Sequence, residues 1–162
     1  MLLKPDALER RLVGRILQRY EEARIEILDV QYYRTIGDEL IRQHYPDSMA
    51  KAIAKKAKMA GEKVDDLELY GLNVLERLRR YVTRGPIIAL KLGGEDAINR
   101  VRKVTGYTDP STAEAGTIRG DLGVDSIRKS AEEERAVENL IHASGNTEEA
   151  KVEIALWFPE KN

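Results

Sequence analysis

The apolar residues of this chain change period between residues 1 and 34, and that change limits what it can fold into. Leu8, Leu12, Val13, Ile16, Leu17 and Tyr20 recur three and four apart, with Glu9, Arg10, Arg11, Arg15 and Arg19 on the other face, so the spacing predicts an amphipathic helix over 8–20. IEILDVQYYR, 25–34, instead alternates, and its β-branched and tyrosine content predicts a strand. Ahead of both, MLL reads as a short strand stopped by Lys4 and Pro5, with Asp6 placed to cap the helix. Strand, helix and strand in succession require a helix stripe to be buried against a sheet face.

The rest of the chain extends this pattern. Residues 36–45 read as helix, and 48–82 as charged helix broken near Gly61 and Gly71. Lys51, Lys55 and Lys58 share a face there, which reads as a solvated surface. GPIIALKLGG, 85–94, is a turn, a buried strand and a second turn, followed by a helix over 95–105 with Ala97, Ile98, Val101 and Val104 inward. Residues 106–128 have no clear period and carry Thr108, Thr117 and Arg119; a loop of that length in a compact domain is commonly functional. A short helix over 130–138, a strand NLIH and a last helix opened by Thr147 complete the order. The expected fold is an α+β ferredoxin-like βαββαβ sandwich: a four-stranded antiparallel sheet with helices packed on one face and added helices, forming a single domain over 1–162.

Lysine and arginine total 27 against 28 acidic residues, so no global field favours nucleic acid or an anionic membrane, and any anion site has to be local. The chain has no cysteine, which removes disulfides, thiolate catalysis and thiolate zinc sites together and suits a reducing, cytoplasmic setting. No apolar run approaches the ~20 residues of a membrane span, and the N-terminus lacks the apolar core of a signal peptide. With two histidines and no thiol, candidates for covalent chemistry are few. His142 is the leading one and His44 its rival, because imidazole is neutral and nucleophilic near pH 7. Neither a GxxxxGK[ST] loop nor the motifs of protein kinases occur, so a nucleotide enzyme built on this chain must hold phosphate in another way.

Seven ordered segments narrow the reading: KPDALERRLVGRIL (4–17), HYPD (44–47), RGP (84–86), GYTDP (106–110), GTIRGDLGVD (116–125), NLIHAS (139–144) and EIALWFPE (153–160). Together they resemble the nucleoside diphosphate kinase family, from residue 4 to residue 160. The resemblance implies ping-pong transfer of a γ-phosphoryl group from a nucleoside triphosphate to a nucleoside diphosphate through a phosphohistidine at His142. It also implies that Glu153 and Ser144 support the imidazole, and that Lys4, Tyr45, Arg102, Thr108, Arg119 and Asn139 contact phosphates, sugar or the surroundings of the nucleophile. Mg²⁺ is expected to arrive with the nucleotide rather than on a protein metal site. A homo-oligomer is expected, with no membrane partner and no specific nucleic acid.

Among the chain's departures from the family, two bear on the site. Counting back from RGP puts Val74 and Leu78 where the family stacks an aromatic residue on the base; Leu78 is taken as the base contact, and Tyr70 lies one helical turn before Val74. Extra residues fall near 48–70 and 129–138. An alternative is therefore a nucleotide-binding or interaction module of the same fold with impaired turnover. A nucleic-acid binder using Arg77, Arg79, Arg80 and Arg84 is a further, side reading.

Overall fold

The computed structural model describes residues 1–59, 61 and 63–160; positions 60 and 62, within the stretch expected to be helical, lie outside the described residues. Four antiparallel strands form the sheet: β1 (Leu2–Leu3), β2 (Glu26–Tyr33), β3 (Ile87–Gly93) and β4 (Ile141–His142), in the order β2-β3-β1-β4. Helices α1 (Pro5–Glu9) and α2 (Val13–Glu22) follow β1, and α3 (Asp38–His44), α4 (Ala50–Met59) and α5 (Leu67–Thr83) lie between β2 and β3. Between β3 and β4 come α6 (Ala97–Thr105), α7 (Ile118–Leu122) and α8 (Ile127–Glu132), and α9 (Thr147–Trp157) closes the chain. The βαββαβ frame β1-α2-β2-β3-α6-β4 is the one expected from the sequence.

The two leucines of β1 explain how so short a strand can sit at the centre. Side chains alternate across a sheet. Leu3 joins a core with Ile16, Tyr20 and Val101 beneath α2 and α6, while Leu2 joins a second core with Ile41, Leu75 and Trp157 beneath α3, α5 and α9. Both leucines are essentially inaccessible. Helices therefore cover both faces of the sheet, not one: the added helices bury the face that the basic frame would leave wet. β1 pairs with both neighbours, Leu2 opposite Ala89 and His142, Leu3 opposite Ile88 and Ile141, and Leu90 N–H donates to Met1 O (2.9 Å). This register sets His142, on the edge strand β4, directly beside the buried Leu2 of β1.

Several local expectations are corrected. The single helix over 8–20 is two, because Arg11 takes a positive φ of 56° between α1 and α2; an apolar period does not register one left-handed residue. Asp6 is not a cap. Lys4 stands at the N-cap of α1 without a side-chain capping bond, and the Asp6 carboxylate is buried, accepting Tyr81 Oη–H (2.6 Å) and Leu140 N–H (3.0 Å). Gly71 does not break α5, which runs unbroken through it. A Cβ there would lie 2.0 Å from Ala50 O, so glycine lets α4 approach α5. Loop 106–128 contains a 3₁₀ turn at Pro110–Thr112, α7 and the start of α8, all too short to show a period; the helix expected over 130–138 is α8, ending at Glu132.

Candidate active site

β4 enters its pairing through a strained residue. Leu140 has φ 67°, a conformation that is costly for a bulky side chain and persists only when its surroundings impose it. Asp6 accepts its N–H, and Lys4 N–H donates to its carbonyl (2.9 Å). The N-terminal KPD segment thus shapes the backbone two residues before His142, linking positions that the sequence separates by more than a hundred residues.

His142 and its neighbours form a hydrogen-bonded set. His142 Nε2 lies 2.6 Å from Glu153 Oε1, and Ser144 Oγ–H donates to Glu153 Oε2 at 2.6 Å. Burial raises the Glu153 carboxyl, but bonds from His142 and Ser144 and the charge of the imidazole outweigh it, so Glu153 is held below its ordinary value and stays ionised. Burial lowers His142 below 6.5 against the opposing pull of Glu153, so the imidazole is neutral at pH 7. A neutral ring beside a carboxylate keeps its proton on Nε2, which leaves the Nδ1 lone pair free. Substitution of Glu153 by glutamine is therefore expected to reduce His142 phosphorylation about 10–100-fold. It should also move the acid limb of the pH–rate profile to lower pH, since Glu153 raises His142. Single-turnover rates across pH measure both, and a plateau equal to wild type refutes the role given to Glu153.

His142 borders a cleft of about 420 Å³ that also exposes Lys4, Tyr45, Leu78, Arg102, Thr108, Arg119 and Asn139. Every expected substrate contact is therefore brought to one place, and Glu153 and Ser144 stand behind His142, outside the lining. Lys4, Lys56, Arg102 and Arg119 line the cleft, and among the described residues no carboxylate does. Lys4 Nζ donates to Asn139 Oδ1 (2.8 Å), whose amide donates to Thr108 O (2.9 Å). Arg119 donates from Nε to Asn139 O (3.1 Å), from Nη1 to Gly106 O (3.1 Å) and from Nη2 to Ile141 O (2.5 Å). A guanidinium has five N–H groups, so Arg119 ties loop 106–128 to β4 and still has donors for a ligand. Arg79 performs the corresponding task for HYPD, donating to Tyr45 O and to Asp47.

One wall of the cleft was missed from the sequence. Met49, Ile53 and Val137 flank Leu78, with Lys56 beside them, whereas Val74 and Tyr70 are not in the lining. Positions 49, 53 and 56 are four and three apart, the spacing of one helix face, and that signal was available. The side chains around Leu78 on this wall are apolar and non-aromatic, and Met49, Ile53 and Lys56 come from the segment expected as an insertion. The basic face assigned to Lys51, Lys55 and Lys58 has a different outcome: Lys51 pairs with Glu68 (3.3 Å), and the α4 lysine that lines the cleft is Lys56. The arginine row of α5 is largely committed, with Arg79 and Arg80 near Glu76 and Arg84 bonded to Glu9 and Glu138.

A helix-covered βαββαβ sheet that carries a carboxylate-held neutral imidazole beside a cleft lined by basic side chains is the architecture of an α+β transferase for anionic substrates. A sequence model described as Nucleoside diphosphate kinase matches residues 1–162. The nucleoside diphosphate kinase of Pyrobaculum aerophilum is 38% identical over 173 residues, covering 99% of this chain and 94% of its own. That of Clostridium perfringens is 36% identical over 160 residues, covering 99% and 90%. Among solved structures, an NDP kinase from Pyrobaculum aerophilum superposes with a TM-score of 0.90 at 36% identity, over 98% of this chain and 93% of that one. A nucleoside-diphosphate kinase from Borrelia burgdorferi, solved as a transition-state mimic with vanadate and ADP, gives 0.83 at 28% identity over 98% and 84%. The chain belongs to the nucleoside diphosphate kinase family.

Proposed function

We propose that the chain is an active nucleoside diphosphate kinase working through a phosphohistidine at His142. The observation that carries this reading is the pairing of His142 Nε2 with ionised Glu153, which leaves Nδ1 as the free nucleophilic atom beside a cleft lined by cations. In the first half-reaction the Nδ1 lone pair attacks the γ-phosphorus of a nucleoside triphosphate. The bond from phosphorus to the β-bridging oxygen breaks, and the electron pair leaves with the diphosphate. In the second, a terminal β-phosphate oxygen of a nucleoside diphosphate attacks the same phosphorus, and the P–N bond returns its electrons to Nδ1. Glu153 holds the Nε2 proton throughout and offsets the positive charge the ring gains on phosphorylation. Lys4, Arg102 and Arg119 take the phosphate oxygens; Thr108, Asn139 and Tyr45 position sugar and phosphate; Leu78, with Ile53 and Val137, packs on the base. Mg²⁺ prefers oxygen ligands; with no carboxylate among the described lining residues, it would arrive with the nucleotide, where it would neutralise phosphate charge.

Incubation with radiolabelled ATP should place an acid-labile, alkali-stable label on His142 that chases onto added GDP. Folded protein that binds nucleotide without acquiring label refutes the reading and leaves the binding module in its place. Lys4 supplies a second check. Burial, reinforced by the charge of Arg119 and opposed by Asp6, lowers its ammonium to about 7. At pH 8 the free protein holds Lys4 mainly neutral, and a bound phosphate restores the charge, so nucleotide binding should take up a proton. Calorimetry in buffers of different ionisation enthalpy measures this uptake, which Lys4→Met should remove.

The acting unit is proposed to be a single domain over 1–162 in the cytoplasm, without membrane or specific nucleic-acid partners; among the described residues no helix is long and apolar enough to cross a membrane. A second copy of the chain is the proposed protein partner. β2 is an edge strand whose Leu28, Val30 and Tyr32 are exposed, an apolar edge that a monomer would have to protect.

A further inference from the structure

His44 is the second imidazole of the chain, and the phosphotransfer above makes no use of it. It ends α3, is only 7% exposed and lies outside the cleft lining. Its Nδ1 is 3.2 Å from Trp157 Nε1. An indole N–H can only donate, so Nδ1 accepts and the ring proton sits on Nε2. That Nε2 is buried and has no hydrogen-bond partner among the described residues. A buried donor left unpaired costs about 1–3 kcal/mol, so stability alone does not account for a histidine here.

What the ring touches is the nucleophile. The His44 and His142 rings meet edge to face, with centroids 4.6 Å apart and planes at 84°. Tyr45 and Trp157 enclose His44 at 4.4 and 5.4 Å. Glu153 and Trp157 lie four apart on α9, so one face of that helix fixes both His142 Nε2 and the ring behind it. One ligand atom each from His44, His142 and Glu153 lie within 4.8 Å of one another, a spacing that suggests a metal site. Ligation through His44 Nε2 would, however, move its proton to Nδ1 and set it against the indole N–H. Burial, followed by the charge of His142, holds His44 at about 3, so it stays neutral against the ring it supports.

We propose that His44 is a positioning residue, a neutral imidazole fixed in one tautomer by Trp157, which backs the His142 ring and keeps its Nδ1 directed into the cleft. The proposal rests on His142 being the phosphorylated residue. His44→Phe keeps a ring, and His44→Asn keeps an acceptor for the indole. Both should slow His142 phosphorylation about 10–100-fold, with KM changed less than about threefold. In ¹⁵N spectra His142 should lose its uniform Nε2–H signature, and in Trp157→Phe His44 should become a mixture of tautomers. Phosphorylation within about twofold of wild type in both His44 variants overturns the proposal. So does a loss of rate with the His142 signals unchanged, which marks general destabilisation. Absence of label on His142 in the unmodified protein would instead count against the phosphohistidine reading itself, so the two failures are distinct.

Discussion

Asp6→Ala should lower the stability of the fold by about 3 kcal/mol or more, because it strands two buried donors at once, each costing about 1–3 kcal/mol. Tyr81 Oη–H and Leu140 N–H both end on this carboxylate, and all three groups are buried. Burial, aided by Asp6, pushes the Tyr81 phenol far above its ordinary value, so it remains a donor that needs an acceptor. For a chain of this size the loss corresponds to a melting temperature lower by about 6–12 °C. The damage should also reach the chemistry. Without its acceptor, Leu140 is no longer held at φ 67°, and the turn that delivers His142 can relax. Thermal melting and phosphohistidine labelling read the two effects. A variant that melts within about 2 °C of wild type would show that Leu140 holds its conformation without Asp6.

Arg119→Ala should combine a structural and a chemical loss. The guanidinium satisfies Gly106 O, Asn139 O and Ile141 O, so its removal leaves three carbonyls to find other donors and cuts the tie between loop 106–128 and β4. Preorganised donors of this kind are each worth about 10²–10³ in rate, and phosphorylation of His142 is expected to fall by at least that factor. Lysine at this position should not restore it, because one ammonium cannot bridge three divergent carbonyls. Folded Arg119→Lys with near wild-type labelling would refute this account. In the proposed mechanism Arg119 is a phosphate ligand as well as the framework residue its bonds make it, and its position in GTIRGD alone does not reveal the second role.

How far the chain could be read before folding depends on the range of the interactions involved. The strand and helix order of the βαββαβ frame was legible because apolar period is a local property. Misreadings occurred where one residue decided the outcome: Arg11 in a left-handed turn, Gly71 as a packing contact rather than a break, Asp6 as a buried acceptor rather than a cap. The candidate site was legible through its motifs, which placed His142, Glu153, Lys4, Arg102 and Arg119 in the reading before their geometry was known. The wall around Leu78 was not, because counting back from RGP assumed that spacing is preserved, whereas Met49, from the 3₁₀ turn before α4, and Ile53 and Lys56 of α4 reach the cleft. The same limit applies to His44 and Trp157, which are 113 positions apart in the chain and bonded in the fold.

The sequence by itself determined the alternation of elements, the charge balance that confines any anion site to a local cluster, and the presence of just two imidazoles and no thiol. Tertiary structure alone decided which nitrogen of each imidazole is occupied. His142 has its Nε2 held by a carboxylate and its Nδ1 available beside the cleft, while His44 has its Nδ1 taken by an indole and its Nε2 enclosed. The two rings are chemically identical. What separates them is which nitrogen each neighbour occupies, and that is fixed only when α3, β4 and α9 pack together.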